Sequence, residues 1–304
     1  MNGSTTYKKI AASIGRNITE AVVERVVQHA ISFGLFEEKS EGDICHNATS
    51  ALLVTDPDLE SWVYLCTNVA YKAGANIPQA IDQYGASSEA DETGYSISIG
   101  RKISQFSHLR ETEGGAAMFA RAMKGISAGG AYDVTHALDG YPWAKLAASP
   151  NQIIVDVGGG PGHVAVALAK LHPSLSFEVQ DLPETVDVGA KNCPAELQDR
   201  ISFRSHDFFQ MQPARDNAAG GSITYFARFI LHDWSDLYAQ KILDALAKSL
   251  RPQDRIILNE VVVPAPGELP LGVERRLRLV ASSGPFPTSY RLTSNAVIAI
   301  CSCS

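Results

Sequence analysis

The sequence predicts an α/β protein in which a doubly wound parallel sheet follows an N-terminal helical, winged-helix-like domain. Residues 7–124 have helical apolar spacing with one short hairpin, whereas helices and apolar strands alternate from residue 152 onward. Such alternation is typical of a parallel sheet with helices on both faces. A chain of 304 residues suits two domains of about 100 to 200 residues each. We predict a helical domain at 1–149, a sheet domain at 150–264 and a divergent tail at 265–304.

The N-terminal region predicts two helices followed by a hairpin. Helical spacing over residues 7–38 is interrupted at residues 15–19, where Thr19 is expected to cap the second helix by accepting its free amide protons. The apolar face of that helix comprises Val22, Val23, Val26, Val27, Ala30 and Ile31. Polar residues 37–43 then complete a winged-helix pattern. DNA binding is one interpretation, but a polyanion would meet the acidic side chains Glu20, Glu24, Glu37, Glu38, Glu41 and Asp43.

Further helices are predicted over residues 59–84 and 101–124, with a Gly, Ser and acid-rich loop at residues 85–94. Residues 152–157 form a continuous apolar run, as expected of a strand buried on both faces of a parallel sheet. Later strands are predicted at 176–180, 201–204, 222–226, 255–262 and 295–300, and later helices at 163–172, 184–192 and 236–250. Such sheets bind ligands at the carboxyl ends of their strands.

The composition argues against several classes of function. A formal net charge of −7 disfavours a nucleic-acid partner, because gripping phosphate backbones needs clustered Lys and Arg. Because the chain has neither a run of about 18 apolar residues nor a secretory signal in residues 1–10, we expect a cytoplasmic protein without a membrane partner. Five scattered cysteines, of which only Cys301 and Cys303 are closely spaced, predict neither a disulfide framework nor a metal site.

The segment from Asp156 to Gly162 has four glycines in five positions and lies between the first strand and its helix. Glycine backbone can pass close to a ligand, and a helix start offers free amide protons to an anion. A plain turn would not require so many glycines, so the loop indicates a nucleotide-like cofactor. NAD is the weaker interpretation, because His163 stands where the dinucleotide fingerprint needs glycine. S-adenosylmethionine has no pyrophosphate, and the Asp156 carboxylate can serve its ammonium group.

Acidic residues follow the next two strands. Asp181 stands 25 positions after Asp156, where a carboxylate can accept both hydroxyl protons of a ribose. Capping of the helix before Pro183 is the alternative role of Asp181. Asp207 can accept a hydrogen bond from an adenine amino group while Phe208 packs on the adenine ring. The alternative is that Asp207 is an acidic residue of a surface loop.

His232 follows the fourth strand, at the carboxyl end of the predicted sheet. A phenol with a pKa of about 10 needs its proton removed, and an imidazole with a pKa of about 6.5 suits that task. The alternative is a histidine that only packs and hydrogen-bonds. Glu260 ends the fifth strand, where it either faces solvent or keeps one imidazole nitrogen protonated so that the other can act as base. Ser235 and Asp236 are predicted to cap the following helix.

Three motifs together resemble the caffeate-type class of plant and fungal O-methyltransferases: Val155 to Gly162, Asp181 to Pro183 and Leu231 to Asp236. The resemblance covers residues 5–264 and includes residues 34–36, 119–123 and 141–143. It implies a Rossmann-like fold of S-adenosylmethionine-dependent methyltransferases, with the winged-helix domain forming a homodimer and contributing to the substrate pocket.

The loop chemistry and this resemblance assign the site residues. The cofactor would be bound by Asp156, Gly158, Gly160, Asp181, Asp207, Phe208, Arg228 and Ser127. Arg228, where many relatives have lysine, would lie on the adenine side. The substrate would meet Met123, Asp233 and Trp234, while His232 matches the family's base and Glu260 its orienting carboxylate.

Both ends of the sequence depart from the family. Relatives carry further helices before the region matching Tyr7, and these swap between subunits, so we expect a weakened dimer and an incomplete pocket wall. After residue 264 the family continues with a helix, a Gly-x-Glu-Arg segment and closing strands. Residues 265–304 are instead rich in Pro, Arg and Ser, and disorder is one expectation for them. We interpret the match of Glu274 to that segment as accidental and the tail as a truncated or altered reading frame.

The sequence thus predicts an S-adenosylmethionine-dependent O-methyltransferase that acts on a hydroxyl of a small aromatic or polyketide-like secondary metabolite. His232 would be its general base. One alternative, favoured by the altered ends, is a catalytically dead or non-methylating homologue, either pericyclase-like or a partner subunit. Another is a winged-helix DNA regulator, which the acidic first domain disfavours.

Overall fold

The computed structural model describes residues 3–15, 17–127, 132–148, 150–214, 221–260, 265–281 and 298–302. Residues 261–262 of the strand predicted at 255–262 and residues 295–297 of the strand predicted at 295–300 lie outside the described residues. The same holds for Ser149, Cys303 and the side chain of Cys301. Within the described residues no group of side chains could hold a metal ion. No described helix combines the length and apolar character needed to cross a bilayer.

Helices dominate the chain before the main sheet. Their bounds are α1 (Tyr7–Ile14), α2 (Glu20–Ser32), α3 (Ala48–Thr55), α4 (Pro57–Tyr64), α5 (Tyr71–Ala75), α6 (Ile77–Tyr84), α7 (Gly94–Ile99), α8 (Gln105–Glu111), α9 (Gly115–Ile126), α10 (Thr135–Asp139) and α11 (Trp143–Ala147). The helix predicted over 59–84 is a broken series, in which a π-helix, Leu65–Ala70, joins α4 to α5. Between α8 and α9, Gly114 takes a left-handed backbone with φ of 70°, which divides the helix predicted over 101–124.

A small antiparallel sheet packs beside α1 and α2. Its strands are β1 (Ser4–Thr5), β2 (Glu37–Ser40) and β3 (Asp43–Cys45), in the order β1-β3-β2. The two helices and the hairpin lie where they were predicted, while assignment to the winged-helix class stays a prediction. The expected cap by Thr19 is wrong, because its side chain makes no capping hydrogen bond. The amides of Val22 and Val23 bind its backbone carbonyl instead.

The main sheet confirms the predicted α/β fold. Its strands are β4 (Ile153–Val157), β5 (Ser176–Asp181), β6 (Ile201–Ser205), β7 (Ile223–Arg228), β8 (Arg255–Asn259) and β9 (Ile298–Ser302), in the order β6-β5-β4-β7-β8-β9. The first five pair in parallel, and β9 pairs antiparallel with β8. The intervening helices are α12 (His163–Leu171), α13 (Pro183–Asn192) and α14 (Asp236–Ala247).

Apolar side chains cover both faces of the sheet. Ile154 of β4 belongs to one buried cluster, with Trp143 and Leu168, whereas Val155 belongs to a second one, with Ile242 and others. Successive residues of a strand point to opposite faces, so a central strand covered on both sides is apolar at successive positions, as at Ile153, Ile154 and Val155. This explains the continuous run that predicted β4.

The region predicted as a tail contains regular structure. Helix α15 (Leu271–Ala281) lies in it, and β9 occupies Ile298–Ser302, overlapping the strand predicted at residues 295–300. The expectation of disorder therefore does not hold for these two segments. The division into domains at residues 149 and 264 stays a prediction.

Candidate functional site

The glycine loop follows β4 at the carboxyl ends of the parallel strands, and we call the space in front of the loop the crevice. Gly158, Gly160 and Gly162 have left-handed φ angles of 67°, 59° and 83°. A methyl group on Gly158 would come within 2.4 Å of Ile230 Cδ1, whereas one on Gly160 would meet no atom of the described chain within 4 Å. The Gly160 backbone therefore faces open space in which a ligand can approach it.

Asp156 lies beside Gly159 of this loop and is almost completely buried, with 3% of its surface exposed. Its Oδ2 atom has no hydrogen-bond partner in the described structure. Burial raises the pKa of Asp156 to about 7, against the opposing charge of Arg228. A buried carboxylate without a partner is costly in a folded protein. A ligand cation at the loop would satisfy it, so the site fits a cofactor that carries an ammonium group.

Asp181 connects the end of β5 to the glycine loop. Its Oδ2 accepts a hydrogen bond from the Gly160 amide at 2.9 Å, and its Oδ1 accepts one from the Leu182 amide at 2.8 Å. Burial raises the pKa of Asp181, although these hydrogen bonds act in the opposite direction. Each oxygen keeps a further lone pair, so the carboxylate can hold the loop and still accept hydrogen bonds from ligand hydroxyl groups.

The loop after β6 places Phe208 beside the glycine loop and leaves Asp207 exposed. Phe208 Cε1 lies 3.7 Å from the position that a methyl group on Gly158 would occupy. The Asp207 carboxylate accepts a hydrogen bond from the Phe209 amide at 3.0 Å, and so it stabilises its own turn. Phe208 is therefore a crevice residue by position, and the adenine contact of Asp207 stays a prediction.

His232 lies in a short 3-10 helix, Leu231–Asp233, directly after β7. Its Nδ1 is 3.2 Å from Glu260 Oε2, and its Nε2 is 3.3 Å from Asp233 Oδ1. The other Glu260 oxygen accepts hydrogen bonds from the amides of Ile230 and Leu231 at 2.9 and 2.7 Å. Glu260 therefore fixes the turn and orients the imidazole at the same time.

The two carboxylates decide the charge of the imidazole. Burial alone would lower the pKa of His232, but Asp233 and Glu260 outweigh it and raise the pKa to about 10. With a carboxylate at each ring nitrogen, His232 is an imidazolium at neutral pH in this arrangement. It can accept a proton only after it has lost the one at Nε2.

Arg228 connects the end of β7 to the segment before α10. Its Nε donates to Asn259 Oδ1 at 3.0 Å, and its Nη2 donates to the carbonyl oxygens of Tyr132 and Asp133 at 2.7 and 3.1 Å. Its guanidinium also lies over the Phe229 ring, 4.3 Å from the centroid. These contacts describe an anchoring role, while the predicted adenine contact of Arg228 is untested.

Tyr132 and Phe229 are site residues that the sequence did not reveal. Their rings pack edge to face at 5.0 Å, and Phe229 also lies 5.7 Å from the His232 ring. Phe229 has φ of 54°, an unusual backbone for an aromatic residue and one that marks functional sites when packing holds it in place. Neither residue belongs to a motif, so sequence pattern offered no signal for them.

Trp234 packs in an aromatic cluster that joins the helical region to the sheet. It stacks on Phe106 of α8 at 5.9 Å and meets Phe209 edge to face at 4.7 Å. Ser235 is the N-cap residue of α14, yet the predicted side-chain cap is wrong, because its hydroxyl donates to the Ser88 carbonyl at 2.8 Å. The loop at residues 85–94 is thereby attached to the carboxyl side of the sheet.

The end of α9 approaches the crevice from the helical side. The Ser127 hydroxyl donates to the Met123 carbonyl at 2.7 Å, which closes the last turn of the helix. The charge of neighbouring Lys124 acts on His163 at the start of α12. The predicted ligand contacts of Met123 and Ser127 stay predictions.

A parallel sheet with a glycine loop after the first strand and an acid at the end of the next strand is typical of α/β proteins that bind nucleotide-like cofactors. The family model of the O-methyltransferase domain matches residues 86–281, so the chain belongs to that family. The match extends past residue 264 and includes Glu274. The carboxylate of Glu274 binds the Gly267 amide and Arg278 within its own segment.

Two fungal proteins are similar over most of this chain. O-methyltransferase CTB2 of Cercospora beticola is 61% identical over 280 residues, covering 91% of this chain and 61% of the relative. O-methyltransferase elcB of Phaeosphaeria nodorum is 60% identical over 283 residues, covering 90% of this chain and 63% of the relative. The chain thus spans less than two thirds of the length of these relatives.

Solved structures share the fold at lower identity. The complex of OxaC with SAH and oxaline has a TM-score of 0.75 and 24% identity, covering 93% of this chain and 70% of that one. The LepI complex with SAM has a TM-score of 0.73 and 20% identity, covering 94% and 71%. At these identities the similarity establishes the fold alone.

Proposed function

We propose that this chain is the catalytic part of an S-adenosylmethionine-dependent O-methyltransferase that uses His232 as its general base. The observation that carries the proposal is the contact of His232 Nδ1 with Glu260, which two backbone amides hold in place. This pair lies at the same edge of the sheet as the glycine loop. The family membership and the names of the two relatives at 60% and 61% identity support methyl transfer.

Each of the crevice residues would bind a different part of the cofactor. Asp156 would meet the ammonium group, Asp181 the ribose hydroxyls, and Phe208 with Asp207 the adenine, while Gly158 and Gly160 leave room for the backbone to approach. When bound, S-adenosylmethionine would supply a methyl group on a positively charged sulfur. The protein's part is to align that methyl group with the acceptor oxygen and to exclude water.

His232 supplies the proton transfer. Glu260 keeps Nδ1 protonated, so Nε2 is the atom that accepts the proton of the acceptor hydroxyl. The oxygen becomes nucleophilic as its proton moves to Nε2. Positioned bases of this kind contribute about 10² to 10⁴ in rate.

The acceptor is proposed to be a hydroxyl of a small aromatic or polyketide-like secondary metabolite. Aromatic side chains lie close to His232: Phe229 packs 5.7 Å from its ring, Tyr132 packs on Phe229 at 5.0 Å, and Trp234 lies two residues further along the chain. Flat, apolar side chains of this type favour flat aromatic ligands. Asp233 and Trp234, together with Met123 on α9, are the residues proposed to meet this acceptor.

A homodimer is proposed as the assembly. On α2 and directly after it, Val22, Val26 and Phe33 are 47%, 63% and 76% exposed, which is unusual for apolar side chains close together. Covering this face with a second copy would remove it from water. Light scattering on the purified chain tests the proposal, and a monomer at micromolar concentration would refute it.

Calorimetry and mass spectrometry test the function. The wild-type chain and a His232→Ala variant are titrated with S-adenosylmethionine and S-adenosylhomocysteine, then incubated with a panel of phenols. We expect both proteins to bind, and only the wild type to make a product heavier by one methylene. Absence of binding would overturn the cofactor assignment. Binding without a methylated product from any phenol would favour the non-methylating alternative, and turnover by the variant would refute the role of His232.

A further inference from the structure

Gln180 and Asp181, the last two residues of β5, hold two loops at the carboxyl edge of the sheet through their backbone. The Gln180 carbonyl accepts a hydrogen bond from the Gly159 amide at 3.1 Å, which holds the glycine loop. The Asp181 carbonyl accepts one from the His206 amide at 3.0 Å. This second contact holds the start of residues 206–212, which we call the β6 loop. The end of β5 therefore sets where the two loops lie relative to each other.

The far end of the β6 loop is fixed by a pair of side-chain amides. Gln180 Nε2 donates to Gln212 Oε1 at 2.8 Å, and Gln212 Nε2 donates to Gln180 Oε1 at 2.9 Å. The backbone amide of Gln212 also donates to Ser249 Oγ at 3.1 Å, just after α14. Because the two glutamines are 32 positions apart in the sequence, the pair forms only when the loop has folded back onto β5.

A carboxylate determines the orientation of the pair. Gln180 Nε2 also donates to Glu178 Oε1 at 2.8 Å, and an ionised carboxylate can only accept hydrogen bonds. The nitrogen of the Gln180 amide therefore faces Glu178, and its oxygen is left to accept from Gln212. Gln180 and Gln212 are 1% and 6% exposed, so water does not compete for these bonds. Both amides are thus held in a single arrangement.

Stability alone does not explain a buried polar pair at this place. A buried hydrogen bond contributes little net free energy of folding, and two apolar side chains of the same shape can give about the same stability. The amides differ from an apolar pair in direction, because a hydrogen bond fixes a distance and an angle, whereas apolar contact is not directional. The pair therefore holds the β6 loop in one position on the strand.

The β6 loop presents Phe208 to the glycine loop. Phe208 Cε1 lies 3.7 Å from the position that a methyl group on Gly158 would occupy. The turn that carries this ring is closed by a hydrogen bond from the Gln210 amide to the Asp207 carbonyl at 2.9 Å. Gln212 follows this turn directly, so a shift at Gln212 moves the Phe208 ring relative to the glycine loop.

We propose that the Gln180–Gln212 pair positions Phe208 against the glycine loop and thereby sets the affinity of the site for the adenosine part of the cofactor. Both glutamines are positioning residues, because their amides bind each other and act on the ligand through Phe208. The inference rests on the proposed function, since it concerns the cofactor of that function. Neither glutamine belongs to the motifs that the sequence revealed.

Calorimetric titration with S-adenosylhomocysteine tests the pair. Gln212→Met keeps the length of the side chain but removes its amide, so we expect the dissociation constant to rise about tenfold. Gln152→Met is the matched control, because Gln152 is also 6% exposed and its Oε1 accepts from Ser222 Oγ at 2.7 Å, just before β4. Both variants lose a buried side-chain hydrogen bond, and only Gln212→Met should lose affinity. An equal loss in both would overturn the inference.

A double-mutant cycle with Phe208→Ala decides the route of the effect. In that background the β6 loop has no ring to place, so Gln212→Met should change the dissociation constant by less than about twofold. An equal rise in both backgrounds would mean that Gln212 acts independently of Phe208. No rise with Phe208 present would mean that the pair does not position the ring. Either result overturns the inference.

Gln212→Asn is the second variant, for use if Gln212→Met does not fold. It keeps an amide in the buried site, but its side chain is too short to make both hydrogen bonds to Gln180, so the same rise is expected. Wild-type protein that does not bind S-adenosylhomocysteine would overturn the proposed function and this inference with it. Wild-type binding that is insensitive to substitution of Gln212 would overturn the inference alone.

Discussion

Glu260 Oε2 lies 3.2 Å from His232 Nδ1, while Oε1 of the same carboxylate binds the amides of the two residues that precede His232. One side chain therefore positions both the backbone of this turn and the His232 ring that it carries. Loss of its charge should disturb the proton transfer more than the fold, because the backbone hydrogen bonds can be kept by an amide oxygen.

Glu260→Gln should lower kcat by about 100-fold, because Nδ1 loses its charged partner and the tautomer with a free Nε2 is no longer favoured. The affinity for S-adenosylhomocysteine should stay within a factor of two, an order-of-magnitude expectation for a residue outside the cofactor crevice. Steady-state kinetics and calorimetry measure both. Glu274→Gln is the control, since the Glu274 carboxylate binds the Gly267 amide and Arg278 within its own segment. Equal loss of kcat in the two variants would contradict the assignment.

The contribution of His232 to stability should depend on pH. Its pKa in the folded chain is raised to about 10, above the value of about 6.5 for an unfolded histidine. The folded state therefore holds this proton more tightly, so the stabilisation is complete below pH 6.5 and is lost as pH rises through 10. The difference in free energy of unfolding between wild type and His232→Gln, measured in urea, should shrink over that interval. A difference that is constant or grows with pH would show that the imidazolium pair is not formed, and substitution of exposed His29 serves as control.

Asp181→Asn should weaken binding of S-adenosylhomocysteine by about 10- to 100-fold, because charged hydrogen bonds to the Gly160 amide and to the ligand are lost. Calorimetry measures the dissociation constant. Asp187→Asn, which removes an exposed carboxylate from the neighbouring helix α13, should leave the affinity unchanged. Unaltered binding by the Asp181 variant would mean that the ligand does not reach this strand end.

Gly160→Ala should lose cofactor affinity by about tenfold or more, because the added methyl group enters the open space above the loop. A left-handed backbone should also cost the variant about 1 kcal/mol of stability. Gly100→Ala is the matched control, since Gly100 has φ of 69° and equally open surroundings at the end of α7. Both variants should lose similar stability, and a similar loss of affinity in both would refute the role of the Gly160 position.

The parts of the site that follow strands could be predicted because each rests on a local pattern. The glycine loop, Asp181, His232 and Glu260 follow four different strands, and parallel strands bring their carboxyl ends to one edge. The helices missed, α3, α7, α10, α11 and α15, are 5 to 11 residues long, and α15 lies in an Arg-rich sequence. Short segments carry little periodic signal, so tertiary packing decides whether they form helices.

The sequence by itself determined the α/β class, the family resemblance and the pair His232 and Glu260. The tertiary structure decided that Asp233 lies at Nε2 of His232 and that Arg228 binds the carbonyl of Tyr132 across 96 positions of sequence. The reason is that residue type and spacing follow from local geometry, whereas the partner of a side chain depends on segments that meet only when the chain has folded. The charge of His232 depends on such partners, because it is set by the distances from its ring to the carboxylates of Asp233 and Glu260.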